Sequence, residues 1–324
     1  MLFRSQQSKK LATLRFFGKV LGTSADYYVA EATYAEPPEK EVDEAAVPLD
    51  VPTEESGTGC NAFVYFVTND PADEWSVLPD VTPQQIVSST KIRKYFTGSL
   101  SADVRAYPPF PGKEMEYLRA LIARIVHATT ICPVGKYVMP EDAEGGALPV
   151  DNEAEDYMPA AVAALGSVDG WCTRYLGILD IGRTTNLPRE EEEGEDGEMV
   201  PKGPEPQPEK PPLSSVGGGE WVTAVYTHGG GATAVARSLL WPGAYCAYQV
   251  AGLTQVYSSF YIGWGHDALK TVFKMEPPPP FCEDPNELQE QVDISLDDEN
   301  NELITLATAT LAEEAAAMEE PAEE

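Results

Sequence analysis

Three histidines, His127, His228 and His266, and five cysteines, at 60, 132, 172, 246 and 282, are the residues of this 324-residue chain best suited to nucleophilic or metal chemistry. Their spacing argues against both. No HExxH sets two imidazoles on one helix face, no CxxC or paired Cys/His spacing builds a zinc site, and no G-x-S-x-G presents a nucleophile. His127 and Cys132 could form a dyad in space, but a helix-end histidine and a core thiol are the simpler reading. The odd cysteine count and wide spacings read as buried, reduced thiols of an intracellular protein. Gly229-Gly230-Gly231-Ala232-Thr233-Ala234 mimics the dinucleotide pattern G-x-G-x-x-A. It lacks an acid about 20 positions on, and the next stretch reads as strand, not helix. Gly18-Lys19 lacks the spacing of a phosphate loop, and Asp297-Asp298-Glu299 lacks the glycine and register of an EF-hand. The many Asp and Glu lie in solvated runs, where no burial tunes a carboxyl for acid–base work. No catalytic, cofactor-binding or metal-ligating residue is nominated.

Such a chain must be read by its elements instead. A formal charge of −31 accompanies an ordinary apolar content of 43%. Segments 31–55, 139–158, 190–198 and 281–324 hold 38 of the 53 acids and one basic residue, Lys40. The remaining body is therefore mildly basic, and the acidity belongs to loops and tail. Phosphate would be repelled by those segments, which argues against a nucleic-acid surface. No run of about 18 apolar residues offers a membrane span. The basic start (Arg4, Lys9, Lys10, Arg15, Lys19) faintly resembles a transit peptide, but Leu14 onward reads as folded structure.

The strongest local signal is Tyr107–Pro133. Pro108, Pro109 and Pro111 stiffen an extended lead-in. Met115, Leu118, Leu121, Ile122, Ile125 and Val126 then fill one arc of a helix, with Glu114 and Glu116 at its start and His127 near its end. Arg119 sits at the edge of that arc. Either its stem lies over the core with the head in water or paired, or it forms a buried ion pair. Leu14–Tyr34 reads as two strands around a turn at Gly22–Ser24, with Gly18 a bulge or turn glycine. Asn61–Asn69 reads as a buried strand. Thr82-Pro83 starts a helix with loosely periodic residues to Phe96. Trp171–Thr185 offers one or two strands, and Trp221–Trp264 an antiparallel set. Acidic or proline-rich loops fall at 35–59, 139–159 and 187–215. Pro277–Pro280 reads as a stiff surface strap. The tail from Phe281 is either a solvating coil or a helix for a partner's groove, as Leu303, Ile304, Ala307, Leu311, Ala315 and Met318 keep helical spacing.

Several motifs share one resemblance. PFPGKEMEYLRALIARI (Pro109–Ile125), the aromatic-Gly-Lys strand followed by Asp26-Tyr27-Tyr28, VYFVTN (Val64–Asn69), LPDVTPQQI (Leu78–Ile86), WPGA (Trp241–Ala244) and YIGWG (Tyr261–Gly265) stand in the order seen in radial spoke head proteins of the four-and-six type. The chain resembles that family from about Leu14 to about Pro280. The resemblance implies a structural subunit of the spoke head in the axoneme of a cilium or flagellum. It would pair with an identical or paralogous subunit, contact other head subunits, face the central apparatus and relay mechanical signals that regulate dynein-driven bending. This sequence starts almost at the first shared strand, without the N-terminal extension of longer members, which puts in doubt the contacts that the extension makes, anchoring of the head to the stalk among them.

The expectation is an α+β fold: a strand-rich body with a central helix, antiparallel sheets, long acidic loops and an acidic C-terminal tail. It divides into an N-terminal segment 1–13, a spoke-head-like domain 14–280 and the tail 281–324. No cofactor, nucleic acid or membrane is expected. The competing readings are a soluble cytosolic adaptor or assembly factor, and an enzyme with nucleotide at Gly229–Ala234.

Overall fold

The computed structural model describes residues 11–35, 51–141, 147–154, 157–158, 160–187, 189, 191–193, 199–201, 206–228, 231–251, 254–268 and 295–319. The expectations placed on 1–10, most of the insertion at 35–59, Gly229-Gly230, Pro277–Pro280 and 281–294 lie outside these residues. Residues Met1–Lys274 form one compact unit and Met275–Glu324 a second.

The first unit opens with β1 (Leu11–Val20), β2 (Tyr27–Tyr34), β3 (Val64–Thr68) and β4 (Ser76–Val77), followed by α1 (Pro83–Lys91) and α2 (Glu114–Thr129). Short strands follow: β5 (Ile131–Pro133), β6 (Tyr137–Val138), β7 (Val150–Asp151), β8 (Trp171–Thr173), β9 (Glu191–Glu193) and β10 (Met199–Pro201). Four longer strands close it, β11 (Trp221–His228), β12 (Gly231–Ser238), β13 (Ala244–Ala251) and β14 (Thr254–Gly263). The main sheet has eight strands in the order β11-β12-β13-β14-β1-β2-β3-β4. β5 pairs with β8, β6 with β7 and β9 with β10.

The α+β expectation holds, with one correction. The sheet is mixed, because β1 runs parallel to β14 through Gly18↔Tyr261, Lys19↔Ile262 and Val20↔Gly263. Parallel neighbours need a long crossover, and the whole intervening chain supplies it. Gly18 lies at a register shift in the β1–β2 pairing. A Cβ there would stand 1.9 Å from the Tyr261 carbonyl oxygen, at a φ of +154°. Glycine is thus required where β1 meets β14.

α2 lies against this sheet. Leu118, Leu121, Ile122, Ile125 and Val126 pack with Phe17, Tyr27, Tyr65, Phe96, Trp241 and Tyr261 in the main core. Each such buried aliphatic side chain contributes about 2 kcal/mol. A second cluster, Ile131, Leu165, Trp171, Trp221, Cys246 and Tyr248, includes residues of β11–β13. A third joins Leu11, Ala30, Ala32, Phe66 and Trp75.

α1 begins as its residues dictate: Thr82 Oγ1 accepts from Gln85 N, Gln85 Oε1 accepts from Thr82 N, and Pro83 is the first helical residue. The periodicity extends to Phe96, yet the helix stops at Lys91. In its last turn Ser89 and Thr90 donate to the carbonyls of Ile86 and Val87, competing with the helical ladder. Ile92 and Phe96 enter the main core from extended backbone instead.

Two loop expectations also change. Residues 139–159 include β7, which pairs with β6. The 187–215 stretch contains the β9–β10 pair, and its end is fastened down: Thr173 donates its N–H to the Ser214 carbonyl and Leu213 its N–H to Thr173. In the second unit, of the two forms expected for the tail the helical one is found over α3 (Leu296–Glu319). Ser295 Oγ accepts from Asp298 N, and Asp297, Asp298 and Glu299 stand in the first turn where the helix dipole favours them.

Candidate functional site

The residues with chemical capacity are placed apart. His127 Nδ1 lies 2.6 Å from the Leu176 carbonyl, and burial pushes its pKa down. Cys132 faces Cys172 across the β5–β8 ladder, with the sulfurs 3.6 Å apart. Its hydrogen bond to Cys172, then burial, push the Cys132 pKa up. No hydrogen bond joins His127 and Cys132 among the described residues, so the dyad is not formed. Cys60, Cys132, Cys172 and Cys246 are all buried free thiols. Gly231–Ser238 is strand β12, hairpin partner of β11, and presents no helix N-terminus to a pyrophosphate. Asp297–Glu299 are helical rather than in a cation-binding loop. Among the described residues no three His, Cys, Asp or Glu side chains converge.

The buried charges serve architecture, and the sequence reading missed most of them. Arg119 is 1% exposed. Among the described residues it reaches no carboxylate: it donates to the Cys60 carbonyl at 2.8 Å and Asn61 Oδ1 at 3.1 Å, and lies 4.8 Å over the Tyr65 ring. Burial pushes its pKa below the ordinary arginine value, although arginine stays charged at that starting point. Glu54 is buried beneath the same segment and accepts from Cys60 N, Thr184 N and Thr184 Oγ1. Burial alone would raise its pKa, but these hydrogen bonds win and hold it below the usual carboxylate value. Glu114, placed by the sequence for the helix dipole, is also buried. It accepts from Tyr27 Oη, Thr97 N, Thr97 Oγ1 and Gly98 N, tying the start of α2 to β2 and the 97–98 turn. Glu31 pairs with Arg15 at 2.6 Å, and Arg15 reaches Ser259 on β14. The signal for Glu31 was an acid enclosed by apolar residues on a strand; Glu54 gave none within its acidic surroundings.

The outer face of the main sheet is the other feature of note. Side chains alternate across β11–β14, so each strand gives one face to the core. On the other face three cross-strand rows stand in register: Val222–Arg237–Tyr245–Phe260, Ala224–Val235–Ala247–Ser258 and Tyr226–Thr233–Gln249–Val256. Arg237 is the one charge in these rows. Val222, Tyr226, Val256 and neighbouring Ile262 are 42–60% exposed, and the Tyr245 and Phe260 rings stack at 5.5 Å. An exposed sheet face of this apolar content is the kind of surface that another protein can cover.

The model of the radial spokehead-like protein family matches residues 2–47 and 36–300. The chain belongs to the radial spokehead-like protein family. It is 37% identical over 317 residues to radial spoke head protein 6 homolog A of Mus musculus, covering 78% of this chain and 44% of that protein. It is 33% identical over 337 residues to the human radial spoke head protein 4 homolog A, covering 88% and 46%. It is 34% identical over 311 residues to flagellar radial spoke protein 4 of Chlamydomonas reinhardtii, covering 87% and 64%. This spokehead-like chain thus spans about half the length of the mammalian relatives it matches. The match takes in α2 and all four strands of the apolar face.

Proposed function

We propose that this chain is a non-catalytic structural subunit of the radial spoke head in the axoneme of motile cilia or flagella. Its outer β11–β14 face packs against a like subunit, identical or paralogous, and the assembled head relays mechanical signals between the central apparatus and the dynein-bearing doublets. Residues 14–280 serve as the spoke-head domain. The acidic loops and tail face the central apparatus as a weakly repelling surface that keeps crowded neighbours from sticking. The observation that carries this reading is the family match through β11–β14, whose outer face leaves Val222, Tyr226, Val256 and Ile262 exposed.

The test is localisation of endogenously tagged protein in detergent-extracted axonemes, with a depletion filmed in parallel. Retention along the axoneme together with altered beating is expected. A detergent-soluble pool with normal beating on depletion would favour a cytosolic adaptor instead. Replacing Val222 and Tyr226 with glutamate should lower self- or paralogue-association by roughly 10-fold or more in sedimentation while leaving the fold intact, because unpaired charge in an interface core is costly.

A further inference from the structure

Cys132 and Cys172 stand directly opposite one another in the antiparallel β5–β8 pair. Arg174 donates its N–H to the Thr130 carbonyl and Val134 its N–H to the Gly170 carbonyl, which fixes the register on both sides. By the alternation of such a ladder, the cysteines occupy a hydrogen-bonded position, where facing Cα atoms lie about 5.5 Å apart and the side chains share one face. That separation is among the commonest for a disulfide. The sulfurs are already 3.6 Å apart, and an approach of about 1.5 Å would bond them. No other two cysteine sulfurs make such a contact among the described residues; Cys246 turns to the Thr129 carbonyl instead.

The pair has a cover. Cys132 and Cys172 pack with Tyr137, Leu213 and Tyr257. Leu213 belongs to a stretch laid along the other edge of β8: it donates its N–H to the Thr173 carbonyl, Thr173 donates to the Ser214 carbonyl, and Ser215 bridges to Cys172. Pro211 and Pro212, just before it, have no N–H with which to fasten the stretch further. Leu213 holds a φ of +57°, and among the described residues no other non-glycine residue stands in the left-handed region. A cover held in strained backbone by few hydrogen bonds opens at low cost. Beneath it Cys172 is 4% exposed and Cys132 0%, so Cys172 is the sulfur that a small reagent meets first. The hydrogen bond from Cys132 also holds the Cys172 pKa below that of an ordinary thiol, which favours the reactive thiolate.

We propose that Cys132 and Cys172 are a reversible oxidation site, closing to an intramolecular disulfide when a hydroperoxide reaches Cys172 beneath Leu213. With hydrogen peroxide, the Cys172 thiolate attacks one oxygen, the O–O bond breaks, and the departing hydroxide takes the thiol proton to become water. Cys172 is left as a sulfenic acid. The Cys132 sulfur then attacks the Cys172 sulfur; the S–S bond forms, the S–O bond breaks, and the hydroxyl leaves with the Cys132 proton as a second water. Two electrons pass from the sulfur pair to one peroxide. The bond closes a covalent ring over residues 132–172, which include Leu165 and Trp171 of the second core cluster, and so fastens β8 to the strand that follows α2. The site rests on neither the family match nor the outer β11–β14 face.

The folded full-length protein should be exposed to graded hydrogen peroxide, quenched, alkylated in denaturant and digested with trypsin without reduction. Cys132 and Cys172 fall in separate tryptic peptides, 125–136 and 137–174, so mass spectrometry reads the bond directly. The linked pair is expected at peroxide levels that leave Cys60 and Cys246 fully alkylated, and dithiothreitol should reverse it. The oxidised protein should melt about 5 °C higher than the reduced one. Cys132→Ser should leave Cys172 as a sulfenic acid that dimedone traps, whereas Cys172→Ser should leave Cys132 unoxidised. Leu213→Ala should speed closure roughly 10-fold. Absence of the linked peptide in the parent, equally fast oxidation of Cys60 or Cys246, or linkage only after unfolding would each overturn the proposal, and an unchanged melting point would overturn the fastening of β8.

Discussion

Arg119 is buried yet has no carboxylate within ion-pairing distance among the described residues, and its Nη1 lacks a hydrogen-bond partner. Its worth must come from the Cys60 carbonyl, the Asn61 amide and the Tyr65 ring. Arg119→Ala removes a large buried volume and takes the guanidinium donor from the Cys60 carbonyl and from Asn61 Oδ1, which keeps the Val81 N–H, so a loss of about 3 kcal/mol in urea denaturation is expected, with Arg119→Met costing less. An Ala variant as stable as the parent would mean that water replaces the guanidinium without penalty. Glu54 makes a prediction in pH. Its carboxyl is held below the ordinary value of 4.5, so its contribution is full above that value and fades as pH falls through the lower folded value. Glu54→Gln should therefore destabilise at pH 7 and flatten the acid side of the stability profile; parallel profiles would contradict the assigned hydrogen bonds. At this scale the sequence revealed little. Periodicity put Arg119 at the rim of α2's apolar arc, but the buried arc is wider than a half-face because Arg119 meets Cys60 and Asn61, and Ala120 and Ala123 pack with Cys60, Val81 and Ile86. Only long-range packing, which no local spacing encodes, shows that.

Elements were far more legible, because their ends are set by local chemistry. The cap at Thr82, the proline after it and the run of α2 were all readable from residue types, as were the alternating strands from Trp221 onward. Thr82→Ala should cost about 1 kcal/mol by removing the acceptor for Gln85 N; a change under a few tenths would show that Pro83 alone sets the start. Less legible were the stop of α1, where Ser89 and Thr90 turn onto their own helix's carbonyls, and the parallel seam between β1 and β14. Strand patterns give faces, not neighbours. The seam rests on Gly18: Gly18→Val places side-chain atoms against the Tyr261 carbonyl and should abolish cooperative unfolding, while Lys19→Ala next to it should be nearly neutral. Retained cooperativity in the valine variant would show that β1 and β14 separate without loss of the core.

On the scale of the whole molecule, the composition sets acid-rich segments apart from a mildly basic remainder, and the core of the described residues is apolar and aromatic. It could not say which face of the β11–β14 sheet stays uncovered, since both faces carry apolar residues; the clusters that include Trp221, Cys246 and Tyr248 decide it. The β1–β14 seam has a further consequence for the order in which the protein is made. β1 emerges early and soon finds β2 on one side, but its other partner is synthesised some 240 positions later. Until then β1 carries an unsatisfied edge, and the aromatic side of α2 waits for Trp241 and Tyr261. A ribosome that stops anywhere before Tyr261 releases a sheet open in its middle rather than a shortened but working subunit. Late nonsense and frameshift lesions should thus deplete the protein as completely as early ones, and pulse-labelled chains ending before β14 should be found with chaperones or in aggregates.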